Sequence, residues 1–132
     1  MTMGADRQTA SAHYGVNLLT VCAERMGSIT IVRVDGEVDM QTCDTLRTAM
    51  ADEMTAQPKA LILDLSAVRF FGSAGVFALL EAGELCRDRG ASLILVTTQR
   101  EVLRPVLASG FSDLFRFGPS LVEAVADARL LA

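Results

Sequence analysis

The sequence predicts an α/β fold: a single domain with a mixed β-sheet of four to five strands and about four α-helices packed on it. Its 132 residues suffice for one domain and leave no room for a second. Two nearly continuous apolar runs, at residues 60–65 (ALILDL) and 92–97 (SLILVT), are typical of parallel strands covered on both faces. Amphipathic stretches of helical length separate the strand candidates, and this alternation indicates a largely parallel sheet.

A polar segment and a hairpin open the chain. Residues 1–15 are mostly small and polar, so we expect a flexible arm there and the folded domain at residues 16–132. Strands are expected at Leu18–Ala23 and Ile29–Val34, where apolar and β-branched residues are frequent. The short connection between them contains Gly27, which predicts an antiparallel hairpin.

The first helix is expected after a loop at Gly36–Asp39, with Asp39 as its N-cap. Its apolar residues recur at steps of three and four and so form one stripe that faces the core. The stripe consists of Cys43, Leu46, Met50 and Met54.

The second helix is expected to follow the strand at residues 60–65. A turn at Ser66–Phe71 leads to the segment Gly72-Ser73-Ala74-Gly75, in which Ser73 is the expected N-cap. The helix itself is expected at Val76–Arg89, because Gly90 then occupies the position after its end.

Two capping boxes predict the starts of two further helices. Thr98-x-x-Glu101 and Ser120-x-x-Glu123 both have the spacing in which a hydroxyl and a carboxylate satisfy the first backbone N–H groups. Between these helices, Phe111–Phe117 is expected to be irregular or a short edge strand.

Composition excludes several classes of function. The net charge of −4 argues against nonspecific nucleic-acid binding and against an anionic membrane surface. No apolar run approaches the length that crosses a membrane. His13 is the one histidine, which removes most metal sites, and phosphate-binding glycine motifs are absent, so we expect neither a metal nor a cofactor.

An enzyme is the weakest hypothesis. Ser73 lies between a strand and a helix, as a hydrolase nucleophile does, but GSAG is one residue short of GxSxG. The one candidate base, His13, precedes the first strand. Four carboxylates could act in acid–base chemistry or hold a cation, or could be solvated loop residues with Asp39 as a cap. They are Asp35, Glu37, Asp39 and Asp64.

The cysteines are Cys22, Cys43 and Cys86, an odd number without CxxC spacing. This is not the framework of a secreted disulfide protein, and no leader of apolar residues is visible, so a cytoplasmic protein is expected. We expect the thiols to be small buried hydrophobes, with Cys86 near a helix end as the most reactive.

Two stretches resemble the signature blocks of the STAS domain, named after sulfate transporters and anti-sigma factor antagonists. The first is VDGEVD at Val34–Asp39 with Leu46; the second is LILDLS at Leu61–Ser66, followed by further matching positions. These positions are Val68, Phe70, Ser73 and Gly75. The resemblance extends from about Leu18 to Arg129.

The resemblance implies a compact α/β domain that acts as an anti-sigma factor antagonist. Such a protein binds an anti-sigma factor, often a serine kinase of the GHKL ATPase type, and so releases a sigma factor. Phosphorylation of the serine that aligns with Ser73 abolishes binding. The chain departs from the family pattern at Gly72, where the family has Asp, and at Ala74, where it has a second Ser.

The partner-binding surface is predicted from the ends of strands. Loops that follow parallel strands gather at one edge of a sheet. We therefore expect the partner to contact Gly36, Glu37 and Asp39 together with Gly72, Ser73, Ala74 and Gly75. Two alternatives stay open: an antagonist or scaffold switched by oxidation of cysteine thiols, and a STAS module that senses a small ligand.

Overall fold

One mixed sheet organises the protein. The computed structural model describes residues 11–16 and 18–131, and in that part of the chain it contains six strands, four α-helices and a short 3₁₀ helix at Ser112–Leu114. The strands are β1 (Ser11–Val16), β2 (Leu19–Met26), β3 (Ile29–Val38), β4 (Ala60–Phe71), β5 (Ser92–Val96) and β6 (Arg116–Gly118). The helices are α1 (Cys43–Met54), α2 (Ser73–Asp88), α3 (Arg100–Ala108) and α4 (Leu121–Leu131).

The strands lie side by side in chain order, β1 to β6. β1, β2 and β3 are antiparallel, whereas β4, β5 and β6 each run parallel to the strand before them. The predicted hairpin and the parallel arrangement of the two buried strands are therefore confirmed. Parallel neighbouring strands need a long connection, and here α1 connects β3 to β4 and α2 connects β4 to β5.

The first strand lies where the sequence predicts a flexible arm. Residues 11–15 belong to β1, which pairs with β2 from Ser11 opposite Glu24 to Val16 opposite Leu19. The rest of the predicted arm, residues 1–10, lies outside the described residues. Pairing with a neighbouring strand, which local composition does not reveal, accounts for the sixth strand.

Two strands run further than predicted. β3 continues to Val38 through the expected loop, and β4 continues to Phe71 through the expected turn. The extensions pair with each other, Val38 opposite Phe71, and two irregularities in register between Arg33 and Glu37 keep them aligned. Because Val38 and Phe71 are both buried, this pairing also extends the core toward the edge of the sheet.

Helices cover both faces of the sheet. α1, α2 and α3 bury one face, and α4 buries the other through Ala124 and Ala128. The predicted stripe of α1 is confirmed: Leu46, Met50 and Met54 are buried and Cys43 packs against them. Residues 60–65 of β4 lie at the centre of the sheet and are almost inaccessible on both faces, which explains their continuous apolar run.

The hydroxyl makes its capping bond at one of the two predicted capping boxes. The Ser120 hydroxyl accepts a hydrogen bond from the Glu123 amide at 3.3 Å, at the start of α4. At α3 the prediction is wrong, because Gln99 is the N-cap and makes no side-chain cap bond. Within the described residues, every helix is too short or too polar to cross a bilayer.

Candidate partner-binding face

The two predicted contact segments meet at the edge where β3 and β4 end. The Gly72 amide donates a 2.9 Å hydrogen bond to the Val38 carbonyl oxygen. This bond continues the β3–β4 pairing by one residue and holds segment 72–75 beside segment 36–39. The structure thus brings together the two stretches that the sequence analysis selected.

Gly36 has a backbone role. Its φ of +125° is rarely adopted by other residues, and a Cβ there would lie 1.9 Å from the Leu18 carbonyl oxygen. The same oxygen accepts a 2.8 Å hydrogen bond from the Glu37 amide. Because Gly36 is buried, its role is to allow the close approach of β2 to β3. The exposed surface of this segment comes from the neighbouring residues.

Asp39 organises the turn that leads into α1. Its Oδ1 accepts hydrogen bonds from the amides of Gln41 at 2.8 Å and Thr42 at 3.1 Å. The Thr42 hydroxyl donates to the Glu37 carbonyl oxygen at 2.7 Å. The helix begins at Cys43 with Thr42 as its N-cap, three residues after the predicted Asp39, but the Asp39 side chain makes the bonds to the amides of the second and third following residues that an N-cap makes. Asp39 shapes an Asx-type turn over residues 39–42, and the Thr42 bond to Glu37 ties that turn to segment 36–39.

Ser73 is exposed and is the first residue of α2. The N-cap is Gly72, in an extended conformation with φ −89° and ψ −174°, so the helix starts three residues before the predicted Val76. The first N–H groups of a helix have no partner within it, and they carry a partial positive charge. The Ser73 side chain is therefore at a position where an anion would be stabilised.

Gly75 allows α2 to start close to the sheet. A Cβ at this buried position would lie 2.9 Å from Phe71 Cε1 and 3.0 Å from Val38 Cγ1. Both side chains belong to the ends of the strands that form the edge. Gly75 is thus a packing residue, whereas Gly72, Ser73 and Ala74 provide the accessible part of this turn.

The comparisons with known proteins agree with this architecture. Residues 20–124 match the model of the STAS domain, which is most of the chain. The chain belongs to the STAS domain family.

Three relatives show how this STAS domain compares. Anti-sigma-F factor antagonist RsfA of Mycobacterium tuberculosis is 31% identical over 112 residues, covering 83% of this chain and 87% of its own. Anti-sigma-F factor antagonist RsfB of the same species is 28% identical over 84% of this chain and 90% of its own. The crystal structure of an anti-sigma factor antagonist from Mycobacterium paratuberculosis superposes with a TM-score of 0.78 at 29% identity, covering 88% of this chain and 98% of that chain.

An apolar groove lies beside the Ser73 turn of the STAS domain. It has a volume of about 340 Å³ and runs between α2 and α3, with Ser73 at one end. Phe77 on its rim is 69% exposed, and Phe70, near the end of β4, is 52% exposed. The sequence analysis did not select either side chain for this face. Helical periodicity could have identified Phe77, because it directly precedes the buried residues Ala78 and Leu79 of α2 and lies outside the apolar stripe that they form.

The predicted carboxylates do not form one cluster. Asp64 Oδ1 accepts hydrogen bonds from the Ser66 amide and hydroxyl, and Asp35 forms an exposed ion pair with Arg69 at 3.2 Å. Asp39 is engaged in its loop. Among the residues that the structure describes, no group of three His, Cys, Asp or Glu side chains could hold a metal ion.

The thiols differ from the prediction in two respects, the reactivity expected of Cys86 and the full burial expected of Cys22 and Cys43. Cys86 is 1% exposed and lies 3.7 Å from the Met54 sulfur, so the expectation that it is the most reactive cysteine is wrong. Burial raises the pKa of the Cys86 thiol to about 11. The end of α2 packs on α1 at this point, which places the side chain in the core. Cys22 and Cys43 are half-buried.

Proposed function

We propose that this STAS domain is an anti-sigma factor antagonist whose binding is switched off by phosphorylation of Ser73. Its partner is an anti-sigma factor, a serine kinase of the GHKL ATPase type, and binding releases a sigma factor. The observation that carries the proposal is the exposed Ser73 side chain on the first turn of α2, next to the end of β3. Relatives that match most of the chain are named anti-sigma-F factor antagonists.

Phosphorylation at this position is compatible with the fold. A phosphate adds about −1.5 to −2 charges at neutral pH, and its oxygens can accept hydrogen bonds from the first N–H groups of α2. Ser73 is exposed, so the phosphate displaces no core residue. We expect the folded state to keep its stability.

Phosphorylation of Ser73 instead weakens binding of the anti-sigma factor. A partner that covers Ser73 must remove water from the phosphate, and an unpaired buried charge is costly. Glu37 and Asp39 on the neighbouring segment already make this edge acidic. Ser73 carries the one hydroxyl of the turn, since Gly72 and Ala74 replace the acidic and hydroxyl residues of the family pattern. Ser73 is therefore the one residue of this turn that a kinase can phosphorylate.

The proposal is tested by calorimetry with purified anti-sigma factors encoded in the same genome. We expect at least one of them to bind the wild-type chain and Ser73→Ala, and to bind Ser73→Asp at least tenfold more weakly. Ser28→Asp is the matched control, because Ser28 is also exposed but lies in the β2–β3 turn at the opposite edge of the sheet. Incubation of the complex with ATP should add one phosphate to the wild type and none to Ser73→Ala, measured by mass spectrometry.

The outcomes separate the parts of the proposal. If no anti-sigma factor binds the wild-type chain, the antagonist function is wrong. If Ser73→Asp binds as tightly as Ser28→Asp, the switch at Ser73 is wrong. Loss of binding on mild oxidation, with Ser73→Asp unaffected, would favour the thiol-based alternative, although the buried Cys86 with its raised pKa offers it little support.

A further inference from the structure

Two exposed phenylalanines flank Ser73 along the chain. Phe70 and Phe77 each expose more than half of the side chain, within four residues of Ser73 in the sequence. Gly72 has no side chain, and a Cβ there would lie 3.2 Å from Phe70 Cε2, so the Phe70 ring lies against the bare backbone of the turn. Exposed aromatic side chains are enriched in interaction surfaces.

The groove between α2 and α3 continues this surface. From α2 it is lined by Val76, Phe77 and Leu80, and from α3 and its C-cap by Pro105, Ala108 and Ser109. None of the described residues that line it is charged. A charged group placed there would lose its hydration without gaining a partner, so the groove favours an uncharged, apolar occupant.

The shape of the groove favours a protein over a small molecule. Pockets for small ligands bury most of the ligand surface. Here the rim residue Phe77 is 69% exposed, so one side of the groove is open to solvent. A partner protein can cover that rim, whereas a small ligand would leave it exposed.

We propose that the groove between α2 and α3 receives an apolar side chain of the anti-sigma factor, and that Phe77 and Phe70 form the energetic centre of the interface. This inference rests on the proposed function. The groove is continuous with the proposed partner face because Ser73 belongs to both. Aromatic residues in the centre of an interface often account for most of its binding energy.

The proposal also gives a physical reason for the effect of the switch. A phosphate on Ser73 would lie at the end of an uncharged groove, where the docked side chain excludes water. It opposes docking by its desolvation alone, so no rearrangement of the fold is needed. The charge effect should therefore be reproduced by a charge elsewhere in the groove.

The first test replaces the aromatic side chains. Phe77→Ser and Phe70→Ser should each weaken binding of the anti-sigma factor at least tenfold by calorimetry, with melting temperatures close to wild type because both rings are exposed. Val122→Ser is the matched control: Val122 is 80% exposed, but it lies on α4, on the other face of the sheet. We expect this variant to bind like the wild type.

The second test places charges of either sign in the groove. Ala108 is exposed and lines the groove from α3, and Ala126 is exposed on α4. Ala108→Asp and Ala108→Lys should both weaken binding at least tenfold, whereas Ala126→Asp and Ala126→Lys should leave it unchanged. If one sign at residue 108 strengthens binding, the surface is electrostatic and the apolar groove is wrong.

Failure of this inference differs from failure of the proposed function. If the anti-sigma factor binds the wild type and the residue 77, 70 and 108 variants equally well, the groove is wrong and the antagonist function stands. If it binds none of them, both are wrong. Binding of a small apolar ligand, with loss of that binding in Ala108→Asp and no anti-sigma factor bound, would make the groove a ligand site and overturn the proposal.

Discussion

The amide nitrogen of Gly72 lies 2.9 Å from the carbonyl oxygen of Val38 and donates a hydrogen bond to it. This bond ties the start of α2 to the end of β3, two parts of the chain that are separated by α1 and β4. Ser73 follows directly, so its position is set by backbone pairing within the sheet. A rigid sheet edge is suited to present a side chain in a fixed place to a partner.

Replacement of Gly36 by Ala should unfold much of the population. The new Cβ would collide with the Leu18 carbonyl oxygen at 1.9 Å, and φ is +125°. We expect the free energy of unfolding to fall by more than about 3 kcal/mol. Gly27→Ala is the control, since φ is +61° but no atom lies within 4 Å, and it should cost only about 1 kcal/mol. Equal losses in urea denaturation would contradict the close contact.

Two other glycines should differ in how much stability an Ala costs. At Gly72 the backbone is extended and the nearest atom belongs to the exposed Phe70 ring, which can move, so stability should change by less than about 0.5 kcal/mol. At Gly75 the new Cβ meets the buried Phe71 at 2.9 Å. Overpacking there should outweigh the helix propensity of Ala and lower stability by about 1 kcal/mol. Thermal melting of both variants checks the order.

Arg25→Met should destabilise the protein more than Arg47→Met does. Arg25 Nε lies 2.8 Å from Glu53 Oε1, and Glu53 is 2% exposed, so the variant removes the cation from a buried carboxylate. We expect a loss of about 2 kcal/mol. Arg47 pairs with Asp44 and Glu81, but all three side chains are largely in water, and the loss should be clearly smaller. A larger effect at Arg47 in urea denaturation would reverse this ranking.

The Cys86 thiol should be inert in the folded protein. Its pKa is raised to about 11 because burial penalises the thiolate, which is the reactive form. Alkylation at pH 8 followed by peptide mass spectrometry should modify Cys86 only as fast as the chain unfolds. Urea should make its rate similar to those of Cys22 and Cys43. Rapid modification of Cys86 without denaturant would show that the end of α2 opens.

The same shift makes stability depend on alkaline pH. In the unfolded chain the thiol has its ordinary pKa of 9.0, so the unfolded state gains thiolate above pH 9, whereas the folded state does so only near pH 11. The contribution is fully present below pH 9 and is lost as pH rises, by about 2 kcal/mol at pH 11. Cys86→Ala removes this dependence, so its stability relative to wild type should improve over the same range. A constant difference would mean that the thiol is accessible to water.

The sequence by itself determined the α/β class, the hairpin, the parallel order of the buried strands and the apolar stripe of α1. Each of these follows from a local signal: a glycine turn, a continuous apolar run, or a helical period that must face the core. The N-cap preference of serine placed Ser73 at the start of a helix, and the signature residues of the family also lie in the sequence.

Tertiary structure decided where these elements end and which surface they present. β1 exists because β2 offers it a free edge, and β3 and β4 extend to Val38 and Phe71 because they pair with each other. Backbone pairing also explains why α2 begins earlier than the predicted Val76. The hydrogen bond between Val38 and Gly72 fixes the start of α2, so Ser73 is its first residue. Cys86 is buried, and Phe77 is exposed, because of how α2 packs against α1 and α3. Backbone pairing and helix packing join residues far apart in sequence, and no local pattern encodes these contacts.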